Sequence, residues 1–255
     1  MPAKKMPAPR LPAIPEAELT PAQRALIDSI RSGPRGQFKM SGPFYCYLHA
    51  PALGELAQKL GAHCRFGTSL PPRLSEFAIL VTARRWKSQY EWTAHAPIAE
   101  QKGVKVETIR DLRAGRTPKK APADERAIYA FAKELYRDRR VSDPTYRQVN
   151  ALLGDAGTVE LVGLLGYYAL VAMTLDVFRM PVPEGTPLPF PEPALPVKHG
   201  LGRATRLRSR RGGSAEQRRR EKRAMLAAGA AQAPWHGRVA GRGFRYFRRH
   251  KVVES

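Results

Sequence analysis

The chain has 255 residues, enough to bury a sizeable core without covalent staples. Its only cysteines, Cys46 and Cys64, form no CxxC, and the six histidines (49, 63, 95, 199, 236, 250) show no ligand spacing such as HExxH. A disulfide scaffold, a thiolate metal site and a histidine metal site are therefore not expected. The formal charge of +22 is uneven: residues 191–255 hold 17 Lys/Arg against 4 Asp/Glu, and residues 1–190 hold 27 against 18. More than half of the excess belongs to a C-terminal segment, so net charge alone does not make the whole chain a nucleic-acid binder.

Residues 1–19 are rich in Pro and Ala and read as an extended arm. The opening MPAKKMPAPRLP has basic residues but no apolar core, so it is not read as a secretory signal. Thr20-Pro21-Ala22-Gln23 reads as a helix start: a Thr cap, Pro at the first helical position and Gln closing a capping box. That helix is expected to run to about Arg31. Residues 37–47 read as loop or a short turn. Pro51 opens a second helix with Leu53, Leu56, Ala57 and Leu60 on one face. FGTSLPP, 66–72, is a loop.

A third helix is expected over 72–85, apolar nearly all round, as central helices are. The fourth runs from about Ser88 to Lys102 and stops at Gly103. A short fifth covers 106–114. The sixth, 124–139, has Ala127, Ile128, Phe131 and Leu135 as its buried stripe. Asp143-Pro144 opens a seventh helix to Leu153, and 158–178 forms the last. The apolar run from Leu161 to Leu175, bracketed by Glu160 and Asp176, is short for a membrane span and reads as a buried helix. No alternating strand pattern bounded by hairpin signals occurs. The expectation is an all-α domain over 20–180 in a soluble, cytoplasmic protein with no membrane association. A Pro-rich strap follows over 181–197. The Arg-, Gly- and Ala-rich segment 198–255 is expected to be a disordered basic tail, able to contact nucleic acid non-specifically. Its composition also matches GC-rich codons read out of frame, so a passenger extension is the alternative.

Residues 73–95, RLSEFAILVTARRWKSQYEWTAH, carry the chemistry. Glu76 shares a stripe with Ile79, Leu80 and Ala83, where desolvation would favour its neutral form. An intrahelical pair with Arg73 would explain it without chemistry. Ser88, Glu91 and His95, at i, i+3 and i+7, share a helix face. Ser88 and Glu91 also make a capping box that needs no function. The Glu91–His95 spacing would orient the imidazole, although a purely structural histidine is the commoner case. Arg84 and Arg85 have the fork geometry to bind a substrate carboxylate, or they end a solvated helix. Tyr90, Trp86, Trp92 and the Tyr167-Tyr168 pair read first as packing, with a pocket wall as the functional alternative.

On these residues the chain resembles the carboxymuconolactone decarboxylase family, which includes the alkylhydroperoxidase D-like proteins. The resemblance rests on RFGTSLPPRLSEFAILVTARRW, SQYEWTAHAPIAEQKG, VKVETIRDLRAG and VELVGLLGYYALVAMTLDVF, and covers roughly residues 35–180. The peroxidase branch has Glu, then CxxC, then His. Here Glu76 and His95 match the Glu and His, while Ser88 and Glu91 stand in the two cysteine positions. Disulfide exchange needs an attacking and a resolving thiol, so peroxiredoxin-type antioxidant activity is disfavoured despite the family label. The resemblance implies a helical subunit of the alkylhydroperoxidase D-like type, assembled as a homo-oligomer (trimer or hexamer). It also implies a cofactor-free lyase that decarboxylates a small lactone acid of aromatic catabolism, like 4-carboxymuconolactone. Glu76, Glu91 and His95 would be catalytic; Arg84, Arg85, Ser88 and Tyr90 would hold the carboxylate or lactone substrate. A non-catalytic oligomeric binding protein is the competing class.

Overall fold

The computed structural model describes residues 7–37 and 40–192. Among these there are eight α-helices and no strand: α1 (Pro21–Ser32), α2 (Pro43–Tyr47), α3 (Pro51–Ala62), α4 (Pro72–Trp86), α5 (Gln89–Gln101), α6 (Val106–Arg113), α7 (Ala123–Asp138) and α8 (Asp143–Phe178). The fold is all-α. These residues belong to one unit, Met1–Leu195; the second, Pro196–Ser255, lies outside the described residues. So do the tail over 198–255 and the last part of the Pro-rich strap.

Local chemistry explains most helix starts. Thr20 accepts a hydrogen bond from the Gln23 backbone N–H, and the Gln23 side chain accepts from the Thr20 N–H, the reciprocal box that starts α1. Pro occupies the first turn of α1, α2, α3, α4 and α8, where its missing N–H has no intrahelical partner to lose. In α8 the residue before the helix is Ser142, not Asp143, and its side chain makes no capping bond. The two helices expected over 143–153 and 158–178 are the arms of α8, which breaks at Gly154. There φ is 68° and ψ −178°, a conformation open to glycine and strained for other residues.

The centre is α4, buried from Leu74 to Ala83, with Phe77, Ala78, Ile79 and Leu80 fully so. It packs against α5, α7 and α8. The inner face of α8 meets it through Leu161, Leu164 and Leu165. By length and composition α8 could cross a membrane; its buried face gives it the place of a core helix. A smaller cluster of Leu26, Ile30, Tyr47 and Ala57 joins α1, α2 and α3.

Two sequence expectations need correction here. The segment 37–47, expected as loop or a short turn, contains the five-residue helix α2, too short for an apolar period to reveal. On α3 the buried face is Gly54, Ala57, Gln58 and Gly61, while Leu53, Leu56 and Leu60 are 57%, 71% and 48% exposed. The glycine face lets α3 approach Tyr47 and Tyr167 closely, and the leucine row is left outside.

The arm and the strap are both tied to the helices. Arg10 donates its backbone N–H to the Phe178 carbonyl at the end of α8, and the Tyr45 hydroxyl accepts from the Ile14 N–H at 2.8 Å. In the strap, Phe190 is buried and meets Trp92 edge-on at 5.1 Å between ring centroids. Gln89 pins it in both directions: its amide donates to the Phe190 carbonyl at 3.0 Å and accepts from the Phe190 N–H at 3.1 Å.

Candidate active site

Helices α4 and α5 lie side by side, which brings Glu76 and His95 together across nineteen residues of sequence. His95 Nδ1 is 2.7 Å from Glu76 Oε2, and both side chains are buried. A carboxylate at Nδ1 favours the tautomer with its hydrogen there, leaving Nε2 as the ring nitrogen for chemistry. The second Glu76 oxygen lies 3.6 Å from Arg65 Nε, beyond a hydrogen bond but within ion-pair range. Arg73 does not pair with Glu76. It pairs with Asp124 and Glu125 on α7 instead.

A cavity of about 180 Å³ opens in front of His95. Arg35, Arg65, Tyr90, Glu91, Tyr167 and Tyr168 share its wall. Glu76, bonded to the imidazole, and Ser88, buried at the start of α5, do not line the cavity. Tyr168 meets the His95 ring edge-on at 5.1 Å and fixes its plane from the α8 side. Burial raises the Tyr167 and Tyr168 hydroxyls, which favours their neutral form. Tyr90 donates to Ser41 Oγ at 2.9 Å. The pair also borders an outer cavity of about 760 Å³ under the arm and strap.

Glu91 is the unusual group. It is 2% exposed, and neither carboxylate oxygen has a hydrogen-bond partner. The expected capping box fails: Ser88 precedes α5, but its hydroxyl makes no capping bond and is itself unpaired. Burial holds the Glu91 carboxyl well above its ordinary value. Nearby Ser88 favours the charged form and Asp176 opposes it, both more weakly. That shift favours the neutral acid on a cavity wall that Glu91 shares with the imidazole.

The structure separates the other predicted residues. Arg84 and Arg85, at the far end of α4, line a different pocket. The cations in the His95 cavity are Arg35 and Arg65, which sequence reasoning did not single out. Arg35 stacks over Phe44 at 4.9 Å and Phe66 at 5.7 Å, and burial lowers its pKa from the usual guanidinium value. It comes from the turn after α1, and Arg65 from a π-helical turn, His63–Gly67. No helical register links either to α5, so local spacing carried no signal. Among the described residues no group of three His, Cys, Asp or Glu side chains is placed to hold a metal.

Comparison with models of known families gives no match to this chain, and comparison with curated proteins gives none.

Proposed function

We propose that this chain is a cofactor-free carboxy-lyase of the alkylhydroperoxidase D-like, carboxymuconolactone decarboxylase type, acting on a small lactone acid of aromatic catabolism. The observation that carries the reading is the buried Glu76–His95 pair at 2.7 Å opening on a cavity flanked by two arginines. The cavity volume of about 180 Å³ suits a small ring acid. Drug-sized ligands occupy sites of roughly 300 Å³ and more.

In this reading Arg35 and Arg65 hold the carboxylate that remains on the substrate. The bond from the ring carbon to the departing carboxylate breaks, and CO₂ leaves. Its electron pair stays with the carbon and spreads into the conjugated lactone carbonyl. Glu91, kept neutral by burial, donates a hydrogen bond to the developing oxyanion, as buried carboxylic acids can. His95, protonated and oriented by Glu76, gives its proton to carbon, and solvent restores it. One substrate anion and one proton become one product and one CO₂.

A thiol-peroxidase mechanism gains no support. Neither cysteine lines the cavity, and burial pushes the Cys46 thiol up to about 11 and raises that of Cys64. Homo-oligomer assembly, trimeric or hexameric, belongs to the same proposal; the exposed Leu53, Leu56 and Leu60 row on α3 is its support. So does a cytoplasmic location. The test is CO₂ release from a panel of lactone and keto acids of aromatic breakdown. Release by the native chain and its loss in His95→Ala support the lyase. Saturable binding without turnover would place the chain in the binding-protein class.

A further inference from the structure

The second pocket, at the C-terminal end of α4, lies apart from the His95 cavity and has its own chemistry. It has a volume of about 280 Å³ and is lined by five basic side chains and no acid: Arg84, Arg85, Arg116, Lys133 and Arg137. Two of the five are neutralised from outside the pocket. Arg116 donates through Nε and Nη2 to Asp111 Oδ1 at 3.0 and 2.8 Å, and Arg137 pairs with its neighbour Asp138. Arg84, Arg85 and Lys133 have no acid partner among the described residues.

Arg84 is held in place without one. Its guanidinium carbon lies 5.2 Å from the centroid of the Phe190 ring. On another side it packs so closely on Gly115 that a Cβ there would come within 2.5 Å of Nη2. Phe190 is itself pinned by Gln89, so the wall behind the guanidinium is fixed. Arg84 Nε is buried and makes no hydrogen bond. Lys133 stands over the Tyr129 ring at 5.8 Å, on the α7 side of the same pocket. A planar fork clamped between a ring and a glycine has lost its side-chain freedom before any ligand arrives. Paired with two more uncompensated cations in a concave site, that arrangement suits an oxyanion.

We propose that this pocket binds a small, multiply charged oxyanion, an organic phosphate or a polycarboxylate, with Arg84 as the bidentate anchor and Arg85 and Lys133 as flanking charges. The site is independent of the lyase reading and of the His95 cavity.

The test is isothermal titration of the full chain at fixed moderate salt, with pyrophosphate in one arm and citrate in the other. Saturable one-to-one binding of either is expected, and the tighter arm identifies the phosphate or the carboxylate source. Arg84→Gln should weaken that binding about tenfold or more, the loss of a charge-assisted pair. Lys133→Gln, at an exposed position, serves as the second variant and should weaken it measurably with the fold intact by circular dichroism. His95→Ala should leave the affinity unchanged. Affinity equal to the native chain in both Arg84→Gln and Lys133→Gln would assign the anion to cations elsewhere, such as those of 198–255, and overturn the proposal. Absence of saturable binding in both arms would overturn it as well.

Discussion

Replacing Glu91 by Gln isolates the most unusual electrostatic feature of the site. The carboxyl has no hydrogen-bond partner and is almost completely buried, so its folded-state pKa stands well above the ordinary 4.5. Between those two values the unfolded chain has given up this proton and the folded chain still binds it. Stability must therefore fall as pH rises through that window, and the effect is absent below the unfolded value. The slope is about 1.4 kcal/mol per pH unit for one group. Across that window the native chain should lose stability relative to Glu91→Gln as pH rises. The buried amide of the variant brings its own unpaired donors, a pH-independent penalty on the order of 1–3 kcal/mol. Glu91→Gln should thus start near or below the native chain at the acid end and gain on it as pH rises. Asp176, whose carboxyl burial raises to about 6, titrates in both proteins and cancels to first order in the difference. Urea unfolding of both chains at pH 5, 6 and 7 measures the effect. Stability curves that run parallel over this range would mean that Glu91 titrates as in the unfolded chain, and the neutral-acid argument would fail.

Phe190→Ala should lower unfolding free energy by about 3 kcal/mol, because it empties the space against Trp92 that the strap fills; thermal melting reads this, and an unchanged midpoint would show the strap to be loosely held. Arg73→Met should destabilise by about 3–5 kcal/mol, since fully buried Glu125 would lose its cation, and denaturant titration checks it. Arg65→Met should raise KM for the lactone acid more than it lowers kcat if the arginine only holds the substrate, and steady-state kinetics separate the two.

Helical periodicity made α4 to α7 legible, because their apolar positions and the Pro and Gly at their borders agree with the fold. It misjudged α3. There the leucines form the visible stripe, yet small residues face inward because two tyrosines need the room. The Glu76–His95 contact was legible as a pair of residues worth watching, and only the packing of α5 on α4 supplies the distance. Spacing also suggested a Ser88–Glu91 capping box. The backbone at Ser88 is suitably extended, but its hydroxyl makes no capping bond, and Glu91 lines the cavity instead. Arg35 and Arg65 were invisible for a different reason. They come from turns whose place is set by the α1–α3 cluster rather than by any local repeat. Arg84 and Arg85 were visible as forks, but the sequence could not say on which side of α4 they would open.

The most direct test of the lyase reading is the fate of solvent hydrogen. The native chain is incubated in D₂O with a carboxylated lactone that releases CO₂ in the panel, and the product is examined by NMR. The account predicts one deuterium at the former carboxyl-bearing carbon or its conjugated terminus for each CO₂ released, with both signals lost in His95→Ala. Full CO₂ release with deuterium incorporation undiminished in His95→Ala would contradict the assignment of the imidazole as proton donor, and failure of every carboxylated lactone to release CO₂ would contradict the lyase itself.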